Sequence, residues 1–111
     1  MKIPNNIQSF VAENKITDYL LNDLHEIGKH KAAFFKLFGF NIEDIGAFKD
    51  SLIQHSVDRD IDQTIESEFG IKYELKCEII TPDQRNPCIV TVWIVESGKE
   101  EPRLVTAYPN K

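Results

Sequence analysis

Four polar side chains crowd one short stretch of the sequence: His25, Lys29, His30 and Lys31. They fall where a helix is expected to begin, and a helix N-terminus is an unfavourable place for cations. Peptide dipoles leave partial positive charge there, so Lys29 and Lys31 forgo about 0.3–1 kcal/mol of charge–dipole energy. One explanation is an anion site. Backbone N–H groups and Lys/His side chains would converge on a phosphate, and a histidine near its ordinary pKa would act as acid or base. The other is a solvated basic loop, and sequence alone leaves both open.

A second constellation lies near the end of the chain, Arg103-Leu104-Val105-Thr106-Ala107-Tyr108. Strand alternation places Leu104, Thr106 and Tyr108 on one face and Arg103, Val105 and Ala107 on the other. Thr106 and Tyr108 would then line one surface with hydroxyls, joined by Arg103 only if a bulge or the strand end redirects it. The competing explanation is an edge strand whose Thr and Tyr serve β-propensity. Trp93 and Tyr73 offer rings for stacking on a base, but packing inside the sheet is the expected role. Asp58, Asp60 and Asp62 alternate like metal ligands but lack the Gly and closing Glu of a calcium loop. No dinucleotide fingerprint, P-loop, nucleophile elbow or HExxH motif is present.

The elements that must position these residues divide the chain in two. Residues 3–14 form an extended lead-in, with Phe10 and Val11 placed to pair at a sheet edge. Ile16, Tyr19 and Leu20 share one helical face in a short helix ending near Asn22 or Asp23. A second helix spans His30 to Phe38, with Gly39 as a left-handed C′ residue and Phe40 folding back. Asn41 caps a third, whose stripe is Ile45, Phe48, Leu52 and Ile53 and which fades near His55 to Asp58. The period then switches to two. Strands are expected over Ile61 to Glu68, Ile71 to Ile79, Cys88 to Val95 and Arg103 to Tyr108, with Cys88 to Val95 central. Short connections make this an antiparallel meander. The expected fold is α+β, with two or three N-terminal helices packed on a C-terminal four-stranded antiparallel sheet, in a single domain over residues 1–111.

Composition bounds the chemistry. The 111 residues are 41% hydrophobic and 28% charged, with eleven aromatics, which is ordinary globular composition. The net charge is −5, concentrated after Val57, so broad nucleic-acid binding is disfavoured while a local basic site is not. Cys77 and Cys88 fall in strands without a zinc-ligand spacing, and both are expected reduced and packed, although a hairpin would allow them to meet. No metal or cofactor is expected. The N-terminus has no apolar signal core and no run approaches the roughly 20 residues of a membrane span. No membrane association is expected, and the cytoplasm is the expected location.

Two blocks resemble a known family. Ile16-Thr17-Asp18-Tyr19-Leu20-Leu21-Asn22, His25, Gly28, Lys31-Ala32, Phe34-Phe35 and Leu37-Phe38-Gly39-Phe40 form the first. Val92-Trp93-Ile94-Val95, Gly98 and Pro102 to Pro109 form the second. Together they resemble the bacterial DUF6883-type domains of unknown function, which are similar to toxin modules of the barnase-like and RelE-like ribonuclease folds. The resemblance implies RNA lying across the sheet, with His25 and Lys31 facing Arg103, Thr106 and Tyr108. It implies metal-free cleavage, with a base activating the ribose 2′-OH and cations stabilising the phosphorane. RNA and a cognate protein are the implied partners. An inactive relative, or a non-enzymatic immunity-like or accessory module, is the alternative.

Overall fold

The computed structural model describes residues 1–110. Helices α1 (Glu13–Lys15), α2 (Lys29–Leu37) and α3 (Ile45–Asp58) precede strands β1 (Ile61–Ser67), β2 (Gly70–Glu78), β3 (Cys88–Glu96) and β4 (Arg103–Pro109). The strands form one antiparallel sheet in the order β1-β2-β3-β4. This is the expected α+β arrangement of three helices followed by a four-stranded meander.

The lead-in reaches across the sheet but is not extended throughout. Asn5 is left-handed, a 3-10 turn occupies Asn6–Gln8, and α1 already begins at Glu13. Of Phe10 and Val11, only Phe10 pairs with the sheet. The Met1 carbonyl accepts the Ile61 N–H at the start of β1. Phe10 then bridges the start of β4, donating to Pro102 O and accepting from Leu104 N. Ile3 and Val11 are buried along the way.

The first helix departs from a regular α-helix. After Lys15 the chain widens into a π-helical turn over Ile16–Leu20, where Leu21 N–H reaches the Ile16 carbonyl five residues back. Single π turns of this kind insert one residue and re-aim side chains. Ile16 and Leu20 are both fully buried here.

Helix α2 ends as its sequence demands. Gly39 sits at φ +105, Gly39 N–H bonds Lys36 O, and Phe40 N–H bonds Phe35 O. This is a Schellman closure, and it folds Phe40 onto Phe48 and Phe35 in the core. The Asn41 side chain accepts from Glu43 N, opening a 3-10 turn (Ile42–Asp44), and Asp44 caps α3 through Ala47 N.

Helix α3 ends at Asp58, inside the expected range, and its last turn buries His55 and Ser56 in addition to Phe48 and Leu52. The imidazole explains this, because both its nitrogens find partners in the sheet. Thr91 Oγ1 lies 2.9 Å from Nδ1 and Cys77 O lies 2.9 Å from Nε2. A satisfied polar group is tolerated in a core where an unsatisfied one is not.

Strand β3 is buried on both faces, as expected of an internal strand. Trp93 and Tyr73 pair across β2 and β3 inside the core rather than offering rings for stacking. Asp60 pairs with Lys2 and the N-terminal amine, and Asp62 pairs with Lys76. Among the described residues, no three His, Cys, Asp or Glu side chains gather as a metal site. Both cysteines are free thiols, but Cys77 is exposed, so the packed half of that expectation fails. Its backbone takes φ +118, which turns the side chain away from the buried face that its alternation would give it. No helix among the described residues is long and apolar enough to cross a membrane.

Candidate active site

Strand β4 contains the irregularity that organises the site. Leu104 pairs with Trp93 and Thr106 pairs with Val92, so Val105 is an extra residue in the ladder. The bulge resets the alternation. Leu104 and Ala107 both become core residues, whereas simple alternation put them on opposite faces. Arg103, Thr106 and Tyr108 are now opposite Ile94, Val92 and Val90, alternate residues of β3. They therefore share a face, which unbroken alternation forbade.

Lys31, in the first turn of α2, reaches this strand. Its ammonium donates to Thr106 Oγ1 at 3.0 Å and to the Tyr19 hydroxyl. The Tyr19 hydroxyl is itself 3.2 Å from Thr106 Oγ1. The same ammonium lies 4.7 Å from the Tyr19 ring centroid and 5.7 Å from that of Tyr108. Among the described residues no carboxylate forms an ion pair with Lys31. An uncompensated cation held by two hydroxyls is available to an anion.

His25 packs edge-on against Tyr19, with centroids 5.0 Å apart. Its Nδ1 accepts the N–H groups of Ile27 and Gly28, at 3.1 and 2.9 Å, and its carbonyl accepts from Lys29. The ring proton is therefore on Nε2. Through these bonds His25 fixes the turn that leads into α2, whose N-cap Gly28 offers no side chain. His25 thus takes up the N–H groups of Ile27, Gly28 and Lys29 and leaves those of His30 and Lys31, so an anion here would meet these two N–H groups together with the Lys31 ammonium.

Arg103 stands apart. It shares the β4 face but sits at the opposite end from Tyr108, with Nε held by Glu96 Oε1 at 2.9 Å. That pairing also keeps the Glu96 carboxyl below its usual range. The structure thus brings His25, Lys31, Thr106 and Tyr108 around one point and leaves Arg103 outside.

The residue that joins them, Tyr19, was absent from the sequence-derived set. Its spacing with Ile16 and Leu20 marked it as one more core residue. The usable signal was its hydroxyl, because a phenol on an otherwise apolar stripe needs a polar partner when buried. The two tyrosines are driven apart electrostatically. Burial pushes Tyr19 up, but the hydrogen bonds from Lys31 and Thr106 and the charges of Lys31 and Lys15 outweigh it, so its phenol lies below the ordinary value. Burial and the charge of Glu74 push Tyr108 up, against Lys76.

Two clefts meet at this cluster. One, of about 860 Å³, is lined by Lys31, Phe34, Pro87, Tyr108, Pro109 and Asn110 among others. The second, of about 570 Å³, holds Lys15, Tyr19, His25, Ile27 and Thr106.

Gly28 is required by the closeness of α2 to Tyr19. A Cβ there would stand 2.4 Å from Tyr19 O and 2.8 Å from its ring Cδ1. Gly28→Ala is expected to destabilise the fold by about 1–3 kcal/mol, as overpacking does, measured by urea unfolding. It should also free Tyr19 from Lys31, so the phenol titrates closer to its ordinary value in ultraviolet absorbance.

The family model described as "Domain of unknown function (DUF6883)" matches residues 2–111. The chain belongs to the DUF6883 family. Both sequence blocks, and so the cluster around Lys31, lie inside the matched DUF6883 span. No curated protein matches this DUF6883 chain significantly. Among solved structures, it is similar to a chain of a "Contact-dependent growth inhibition toxin - immunity protein complex from Klebsiella pneumoniae 342". The TM-score is 0.74 at 18% identity, covering 96% of this chain and 97% of that one. At that identity the likeness is one of fold, shared over nearly the whole DUF6883 chain.

Proposed function

We propose that this domain is a toxin-type ribonuclease of the barnase-like and RelE-like kind, cleaving RNA without a metal ion. One observation carries the reading: a lysine that no carboxylate pairs among the described residues stands between two tyrosines whose proton affinities are pushed in opposite directions. Such divergence is how a site separates a base from an acid. Tyr19, the more acidic phenol, takes the proton of a ribose 2′-OH. The 2′ oxygen attacks the adjacent phosphorus, and the Lys31 ammonium neutralises the phosphorane oxygens. Tyr108, which holds its proton, gives it to the departing 5′ oxygen. Thr106 fixes Lys31 and Tyr19, and His25 positions Tyr19 while offering Nε2–H to the phosphate. Arg103 has no direct part while Glu96 holds it.

The two clefts suit the nucleosides on either side of the scissile phosphate. Phe34, Tyr108 and the prolines of the larger cleft offer apolar walls to a base. The open sheet face carries Lys72 and Lys76 interleaved with Glu74 and Glu78, so the RNA path runs along the β4 edge. An RNA substrate fits action in the cytoplasm. The likeness to a chain of a toxin–immunity complex supports a cognate protein partner and suits a toxin or an immunity-like role alike.

The test is incubation of the purified chain with total RNA, with and without EDTA. Fragments ending in 2′,3′-cyclic phosphate, formed equally in EDTA, are expected. Intact RNA at high protein concentration and low salt would sink the proposal.

A second reading, a non-enzymatic immunity-like or accessory module, is favoured by the net charge of −5. Leu24 (93% exposed) and Ile27 (68%) flank His25 and offer apolar contacts to a partner. Stable capture of one host protein, with no RNA cleavage, would favour this reading.

A further inference from the structure

We propose that Cys77 and Cys88 form a dithiol site that closes into an intramolecular disulfide by exchange with a low-molecular-weight disulfide. The proposal does not rest on the ribonuclease reading. It starts from the ladder, where Cys77 is opposite Ile89 and Cys88 is opposite Glu78. The two cysteines are therefore one step apart on neighbouring strands. In a regular ladder such a diagonal pair points to opposite faces of the sheet and cannot be bridged.

The backbone removes that obstacle. Cys77 takes φ +118, a region that L side chains avoid. Its thiol leaves the face shared by Leu75 and Ile89, becomes exposed, and comes to the side of the sheet that Cys88 occupies, near enough for Cys88 to influence its proton affinity. Neighbouring-strand Cα atoms are about 4.5–5.5 Å apart when directly opposite, so a one-step diagonal stays within the range that disulfides span. The conformation is held from beneath, because the buried His55 donates Nε2–H to the Cys77 carbonyl at 2.9 Å. From the other side, Asn110 Nδ2 donates to Cys88 Sγ at 3.3 Å and orients that sulfur. Strained backbone persists where the surroundings enforce it and is concentrated at functional positions. Packing offers no competing explanation, because the turn moves Cys77 out of the core.

The chemistry balances with a small disulfide as the oxidant. Cys88 and desolvation hold the thiol of Cys77, the exposed partner, above its ordinary value. Cys77 attacks as the thiolate formed at mildly alkaline pH and makes a mixed disulfide, expelling one small thiol. Cys88 then attacks the Cys77 sulfur and expels the second. The protein loses two hydrogens and two electrons, and the oxidant becomes two thiols. The bridge ties the end of β2 to the start of β3. Cys88 and Pro87 line the larger cleft beside Lys31 and Tyr108, so closure stiffens one wall of it.

The experiment treats the folded chain with oxidised glutathione at mildly alkaline pH and follows intact mass. Wild type should lose two hydrogens, retain no glutathione, stay monomeric and recover both thiols with dithiothreitol. Cys88→Ser should instead accumulate a single glutathione at Cys77, showing the intermediate that Cys88 normally resolves. Wild type that retains glutathione on either cysteine, or forms only intermolecular dimers, would overturn the proposal. Circular dichroism of Cys88→Ser confirms that the variant reports on the folded chain.

Discussion

Lowering the pH from 6.5 to 4 is expected to remove on the order of 3 kcal/mol of folding stability through His55 alone. Burial pushes this imidazole from its ordinary 6.5 down to about 4, with the nearby Arg59 charge adding to the effect. The Cys77 carbonyl and Asp58 act in the other direction and are outweighed. The folded chain therefore keeps the ring neutral where the unfolded chain protonates it. The stabilisation is complete above pH 6.5, declines as pH falls, and is exhausted once pH passes below about 4. Geometry gives the reason. Trp93 Nε1 donates to Thr91 Oγ1 at 2.9 Å, the threonine hydroxyl donates to Nδ1, and Nε2 donates to the Cys77 carbonyl. A proton on Nδ1 would face the Thr91 hydrogen.

Urea unfolding across this range, on wild type and His55→Gln, isolates the effect. Gln keeps a polar group but cannot titrate, and it satisfies only part of the network, so it should cost about 1–3 kcal/mol at pH 7. The gap between the two proteins should shrink towards pH 4. Asp60 and Glu96, held below their usual range by Lys2 and the N-terminal amine and by Arg103, respectively, weaken both proteins alike at still lower pH. A constant gap would show that the fold holds the protonated ring as well as the neutral one.

His55 also shows where sequence reasoning stops. Period and caps carry local information, so Gly39, Asn41, the switch to alternation after Asp58 and the lead-in at Phe10 were all legible. Each is decided within a few residues. His55 ends an apolar stripe and resembles the first solvated residue of a fading helix. Its burial is decided by Thr91 and Cys77, more than twenty residues away. The bulge at Val105 is similar. Nothing in Arg103 to Tyr108 marks an extra residue, because the slip is enforced by how Leu104 and Ala107 both fit under Trp93 and Thr91. The family resemblance set His25 and Lys31 facing Thr106 and Tyr108, and in the fold Lys31 and Tyr19 are what link them. Arg103 entered by adjacency in sequence, and its partner Glu96 lies on β3 beyond a turn. Tyr19 was missed because a helical period records which face a residue occupies and not what its hydroxyl meets there.

Tyr19 and Lys31 therefore carry the most informative substitutions. If Tyr19 is the base, Tyr19→Phe should lower RNA cleavage by about 10²–10⁴-fold, the usual contribution of a positioned proton-transfer group. Lys31→Ala should lower it by about 10²–10³-fold or more, as removal of one oxyanion-stabilising group does. The pH profile separates chemistry from packing. In wild type, the rate should rise with pH as the Tyr19 phenol ionises and should level off below the pH of an ordinary tyrosine, because Lys31 and Thr106 favour the phenolate. At higher pH the rate should fall again as Tyr108, held above the ordinary value, loses the proton it must donate. Lys31→Ala should move the rising limb upward, since the phenolate loses its strongest partner. Tyr19→Phe should abolish that limb and leave residual cleavage without it. Thr106→Val should shift the limb less than Lys31→Ala, since it removes one of the two contacts to the Tyr19 hydroxyl and leaves the cation. Equal rate losses in all three variants with an unchanged profile would assign the cluster to packing, and the proton transfer would then have to be sought elsewhere in the two clefts.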